Sequence, residues 1–213
     1  IEALKKARYK VDFIPNHRAS SEFPTSEKEI SKYSTVILSD IGANTLLLHP
    51  DTFEKSIPTR NRLKLIKKYV KKGGSFLMIG GYLSFQGIEG KAKYKNTAVE
   101  EILPIKMKSI DDRIEVPEGM YPEVTTNHSI TEELDKEWPM FLGYNQFTAD
   151  ENAVVLAKSR ENNDPFLVAG EFEKGRTAAF ASDCAPHWGS NDFVEWDNYN
   201  KMWGQLVSWL SRI

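Results

Sequence analysis

Cysteine is almost absent. The single Cys184 excludes an internal disulfide and a cysteine-built zinc cluster. No apolar run approaches the ~18 residues that cross a bilayer, and no signal-peptide pattern is visible. Neither sign of charge is in excess. The 28 Lys and Arg face 30 Asp and Glu, for a net charge of -2, so the balance points to no nucleic-acid partner and no membrane surface. The four histidines, His17, His49, His128 and His187, never fall at H-x-x-x-H spacing, so a metal site would need ligands gathered from distant loops. Repeats, low-complexity tracts and linkers are missing too.

What remains is an ordinary globular composition of 40% hydrophobic and 27% charged residues over 213 positions. A chain of this length buries roughly 70% of its unfolded surface, enough for a core without staples. One domain over residues 1–213 is expected. One cysteine and no export signal make the cytoplasm the expected setting.

Continuous apolar runs alternate with helical patterns in the first half. Residues 1–9 read as the end of a helix and Val11–Ile14 as a short strand stopped by Pro15. Ser26 with Glu29 three residues on is a capping box. Residues 33–40 read as a buried strand ending in the polar turn Asp40-Ile41-Gly42-Ala43-Asn44. Thr59–Lys72 is a helix by the spacing of Leu63, Ile66 and Val70, closed by Gly73-Gly74. Ser75–Ile79 is a second buried strand, followed by Gly80-Gly81. Apolar strands each preceded by a helix suit a parallel sheet covered on both faces.

The pattern then changes. Residues 104–126 are charged and carry Pro117 and Pro122, and they read as an irregular excursion or hairpin on the surface. Thr131 is a candidate cap for a short helix after His128. Residues 153–157, 165–169 and 176–181 read as strands joined by short turns, which makes this half of the sheet partly antiparallel. The last helix, residues 198–212, puts Tyr199, Met202, Trp203, Leu206, Leu210 and Ile213 on one stripe. The fold class is α/β with a mixed sheet.

Three clusters could carry chemistry. A buried strand ending in Gly80-Gly81-Tyr82-Leu83-Ser84 is the setting of a nucleophile elbow, where a sharp strand-to-helix turn lifts one side chain above the sheet. Its apex would be Tyr82, a poor nucleophile with an ordinary pKa near ~10. The plain alternative is that the glycines only end a strand. The second cluster, Ser182-Asp183-Cys184-Ala185-Pro186-His187-Trp188, follows the last strand and should emerge at its carboxyl end, where open α/β sheets bind ligands. His187 is a candidate base, metal ligand or structural residue. Cys184 is a candidate partner for it, or simply a small buried residue. The third is the Asp40–Asn44 turn, whose N–H groups could bind a carboxylate or whose Asp40 could cap the turn. Trp188 and Trp196 are candidate pocket or interface residues.

Taken in order, Gly80-Gly81-Tyr82-Leu83-Ser84-Phe85-Gln86-Gly87, Leu103-Pro104, Asn127-His128-Ser129-Ile130, Gly175-Arg176, Ser182-Asp183 and His187-Trp188 resemble the class I glutamine amidotransferase-like superfamily. Within it the chain looks most like the "putative glutamine amidotransferase" family, related to the ThuA-like (trehalose-utilisation) proteins. The resemblance implies a flavodoxin-like three-layer α/β/α fold and a first strand before Ile1. It also implies Gly-x-Cys-x-Gly at the elbow and a His followed two residues later by Glu. Here Tyr82 stands for the cysteine, Ser84 for the second glycine and Gly189 for the glutamate.

Glutaminase chemistry needs a thiolate and a histidine to activate it, so the resemblance implies a disarmed site. Three readings are open. The first is a non-catalytic domain binding a small polar molecule or a protein partner around Asp40, Gly42, Gly80, Gly81, Tyr82, Ser84, Asp183, His187 and Trp188, with no cofactor. The second is a hydrolase that uses Cys184 with His187, or a metal held by Asp183 and His187. The third is a scaffold that forms a homo-oligomer through Trp188 and Trp196.

Overall fold

In the computed structural model, which describes residues 1–213, the chain opens with short helices α1 (Glu2–Lys6), α2 (Asn16–Glu22) and α3 (Glu27–Ile30). The capping box is in place at α3: the Ser26 hydroxyl accepts from the Glu29 N–H, and the Glu29 carboxylate accepts from the Ser26 N–H at 3.0 Å. Strand β1 (Thr35–Ser39) leads into α4 (Ala43–Leu47), α5 (Pro50–Lys55) and α6 (Arg62–Lys71), then β2 (Ser75–Ile79). Six strands follow before the final hairpin: β3 (Ile105–Met107), β4 (Arg113–Met120), β5 (Pro122–Val124), β6 (Phe141–Asn145), β7 (Phe147–Ala149) and β8 (Val154–Ser159). The hairpin β9 (Pro165–Phe172) and β10 (Gly175–Phe180) precedes α7 (Asn191–Glu195) and α8 (Tyr199–Ser211).

The main sheet has the order β1-β2-β10-β9-β8-β5. β1, β2 and β10 are parallel, while β9, β8 and β5 are added antiparallel. α6 packs on β2 and β10, as does α8, giving a three-layer α/β/α arrangement of flavodoxin-like type. β2 is buried at every position, as a central strand covered on both faces should be. Leu63, Leu65, Ile66, Tyr69 and Val70 of α6, and Met202, Trp203, Leu206, Val207 and Leu210 of α8, supply the covering layers.

Several expectations are corrected. Val11–Ile14 is not a strand: it makes no ladder pairing, and Phe13 is 65% exposed. β1 is an edge strand in this sheet and alternates in burial instead of being buried throughout. Residues 104–126 are neither an irregular excursion nor a hairpin, since their strands pair with β7, β6 and β8 and not with one another. They hold β3, β4 and β5, and the fully buried Asp112. No helix follows Thr131, where the chain forms turns, and the exposed Ile213 falls outside α8.

Register positions the site. Ser39 of β1 and Phe180 of β10 both lie opposite Ile79 of β2, so the three parallel strands end level. Asp40, Gly80-Gly81-Tyr82 and Ser182-Asp183 therefore leave the sheet side by side at its carboxyl edge. Close approach is enforced at Gly80, whose N–H donates to Phe180 O (2.8 Å) and where a side chain would strike the carbonyl of Ala181.

Candidate functional site at the carboxyl edge

The strand-to-helix elbow is not formed. β2 runs into turns over residues 81–86, and only a single 3-10 turn, Ile88–Gly90, follows. Without a helix, other groups must satisfy the backbone. Gly81 N–H donates to Asn145 Oδ1 (2.9 Å), and Asn145 Nδ2 donates to Asp112 Oδ1 (2.9 Å). The Asp112 carboxylate also accepts from the N–H groups of Gln86 and Gly87, both at 2.8 Å. Burial pushes the Asp112 carboxyl up, against the pull of these donors. Ser84 is buried, donating to Ile79 O (2.6 Å) and accepting from Asp40 N–H (3.1 Å).

Asp40 does not cap its own turn. Its Oδ1 accepts from Leu83 N–H at 2.6 Å, tying the end of β1 to the turn after β2. Gly42 packs against Ala92 instead, and the neighbouring Ala43 N–H is already taken by Ala92 O (2.8 Å). Gly81 sits where φ is +140°. A Cβ there would lie 2.8 Å from Asp40 Oδ1 and 2.9 Å from Asp183 Oδ1, so only glycine lets two carboxylates approach the turn.

Tyr82 stands at the centre of an aromatic and charged cluster. Its hydroxyl donates to Glu115 Oε1 (2.9 Å), and Arg113 lies over its ring, 4.8 Å from the centroid. The Glu115 contact is the main reason its phenol titrates above the ordinary value. Trp188 is buried and donates its Nε1–H to Glu115 Oε2 (2.9 Å). Arg113 is held in turn by Asp111 (2.8 Å), whose carboxyl it keeps well below the usual range. His187 packs edge-on to Tyr82, with centroids 4.5 Å apart, and stacks on Trp188 at 5.5 Å.

His187 and Asp183 form a pair. His187 Nδ1 and Asp183 Oδ2 are 2.8 Å apart, and Trp188 N–H donates to the same oxygen (3.2 Å). A carboxylate on Nδ1 assigns the proton there and leaves Nε2 free. Burial raises the Asp183 carboxyl, and the His187 contact opposes that shift. The His187 side chain is 48% exposed, and its φ is +149°, a conformation that disfavours any residue with a Cβ. A non-glycine residue held there is the kind of strain that collects at functional sites.

Cys184 stands apart from this pair. Burial pushes its thiol up, and Ser39 is its polar neighbour, while His187 turns to Asp183. The structure thus brings together Asp40, Gly81, Tyr82, Asp183, His187 and Trp188. Gly80 and Ser84 lie beneath them as supports, and Gly42 and Cys184 lie aside. No three His, Cys, Asp or Glu side chains converge as metal ligands would. A cavity of about 680 Å³, lined by Tyr9, Arg176, Trp209 and Arg212, lies at the start of β10 and touches none of these residues.

Sequence reading missed Arg113, Glu115, Asp112 and Asn145. The alternation of Arg113-Ile114-Glu115-Val116 was a signal for a strand, with Arg113 and Glu115 on one face. Asn145 carries no local signal at all.

Known proteins agree with this architecture. The family described as "Putative glutamine amidotransferase" matches residues 1–212. The chain belongs to that family. Two solved proteins of Salmonella typhimurium, each described as a cytoplasmic protein, are 45% and 44% identical to it. Each match covers 98% of this chain and 84% of the other, with a TM-score of 0.94. A protein described as ThuA-like from Bacteroides uniformis is 13% identical, with a TM-score of 0.59 over 98% of this chain and 81% of that one, and shares the fold. No curated protein matches the chain.

Proposed function

We propose that this family member binds a small polar molecule over Tyr82, His187 and Asp183, without the glutaminase chemistry that the family's description suggests. The observation that carries this reading is the state of the two candidate nucleophiles. The Tyr82 hydroxyl is committed to Glu115, and the Cys184 thiol is raised by burial and has no hydrogen bond to His187, whose Nδ1 pairs with Asp183. Neither can serve as an activated nucleophile beside a base. What the edge offers instead is recognition: a free imidazole nitrogen, two carboxylates at Gly81, and the Tyr82 ring under Arg113. The cytoplasmic descriptions of the 45% and 44% identical Salmonella proteins support a cytoplasmic setting.

A screen of amino acids, sugars and sugar acids by thermal shift tests this. At least one compound should raise the melting temperature of the wild type, and His187→Ala should abolish the shift. A ligand that shifts both proteins equally would place binding elsewhere.

The His187–Asp183 pair favours a second reading. An oriented imidazole with a free Nε2 is the arrangement of a general base, and the strained backbone at His187 adds weight. Nε2 would take a proton from water as that water attacks the carbonyl of a bound ester or amide, with Asp183 steadying the imidazolium, and would return the proton to the departing alcohol or amine as its bond to the carbonyl carbon breaks. Turnover of such a substrate, lost in both His187→Ala and Asp183→Asn but kept in Cys184→Ala, would select this reading over simple binding.

A further inference from the structure

A second polar cavity lies away from the edge cluster, at the start of α6. It measures about 440 Å³ and is lined by Thr25, Ser26, His49, Asp51, Pro58, Thr59, Arg60 and Arg62, with no hydrophobic side chain among them. Arg62 is only 1% exposed and has no carboxylate partner. Its guanidinium donates to the carbonyls of Leu46 (2.6 Å), Ser20 (2.8 Å), Thr45 (3.1 Å) and Ala19 (3.4 Å). These bonds fix the group between α2 and α4. Arginine carries five N–H donors, and Nη2 meets only Thr45 O, so one N–H of a buried cation has no protein acceptor.

The other lining groups are donors or are already engaged. Arg60 is exposed and forms no ion pair. His49 Nδ1 accepts from Asp51 N–H (3.1 Å), which leaves the ring proton on Nε2 as a donor. Of the nearby carboxylates, Glu29 accepts from Thr25 and Ser26 N–H groups, and Asp51 pairs with Lys55 at 2.8 Å through Oδ1 while its Oδ2 lies 3.6 Å from His49 Nδ1. A buried cation without a counter-ion is costly. Two arginines and an imidazole donor at one polar cavity match the acceptor oxygens of a phosphate.

We propose that this cavity binds a phosphate-bearing small molecule, held by Arg60, Arg62 and His49. The proposal is independent of the Tyr82 reading. Titration calorimetry with inorganic phosphate, at constant ionic strength, should show saturable binding that chloride does not give. Glycerol 3-phosphate should compete with it. Arg60→Ala, at an exposed position that carries no fold contacts, should weaken binding about tenfold. Arg62→Lys, which keeps the charge but loses the fork, should remove binding, and Tyr82→Phe should leave it unchanged. Phosphate that binds no better than chloride would overturn the proposal. So would binding indifferent to Arg60→Ala, binding lost in Tyr82→Phe, or failure of glycerol 3-phosphate to compete.

Discussion

The turns that leave β2 and β10 are neighbours, but they are anchored differently. The turn after β2 is held from beneath: buried Asp112 and Asn145 take up the N–H groups of Gly81, Gln86 and Gly87, and Ser84 and Asp40 close its other side. The loop after β10 is tied at its two ends, by Ser182 donating to Gly143 O (2.6 Å) and Trp188 to Glu115 (2.9 Å), and by Tyr199 donating to Cys184 O (2.6 Å), yet it keeps His187 in a disfavoured conformation with its ring half in solvent, held by the half-buried Asp183. The first turn is a platform whose polar groups are used up. The second carries the group left free to meet a ligand. In this protein the glycine-rich turn supplies shape, and the later loop supplies chemistry.

The largest test of this contrast is Asp112→Ala. It leaves three N–H donors unsatisfied in the interior, and unfolding in urea should show a loss of about 3 kcal/mol or more. A loss below about 1 kcal/mol would show that the platform is not anchored there. Gly81→Ala comes next. Its Cβ meets Asp40 and Asp183 at a φ of +140°, so a loss of about 1–3 kcal/mol is expected. Unchanged stability would mean the two carboxylates readily move apart.

At His187 the expected sign depends on the replacement. His187→Ala and His187→Gly both lose the Asp183 contact, but only glycine relieves the backbone. The glycine variant should be the more stable of the two by about 1 kcal/mol. Equal stabilities would remove strain from the account, while leaving the His187–Asp183 pair in place.

The smallest effect is a pH dependence that separates two adjacent residues. Arg113 holds the Asp111 carboxyl low, so its contribution is present above the unfolded value of 3.8 and lost as pH falls through the folded one. Burial pushes Asp112 up, so its contribution is full below 3.8 and lost as pH rises through the folded value. Denaturation midpoints across the acid range should lose acid sensitivity in Asp111→Asn and gain it in Asp112→Asn. Shifts of the same sign in both variants would contradict the assignment.

Much of this was legible in the chain. β2, α6, α8 and the late hairpin strands follow from continuous apolar runs, helical spacing and short turns, because those patterns report burial directly. The placing of Asp183 and His187 at a strand's carboxyl end followed from the same logic. The absence of a helix after Gly81 was not legible, since it depends on Asp112 and Asn145 arriving from distant segments to satisfy the turn. Val11–Ile14 shows the converse: local composition favours a strand, but the segment pairs with none and leaves Phe13 in solvent. Likewise Cys184 and His187 are three apart in sequence, yet His187 pairs with Asp183 and not with the thiol.

The most direct measurement is steady-state ammonia release from glutamine by highly purified wild-type protein beside Cys184→Ala. The account predicts no release above the blank from either protein, because the Tyr82 phenol is tied to Glu115 and burial pushes the Cys184 thiol up, with His187 paired to Asp183. Sustained release by the wild type, abolished in Cys184→Ala, would contradict it.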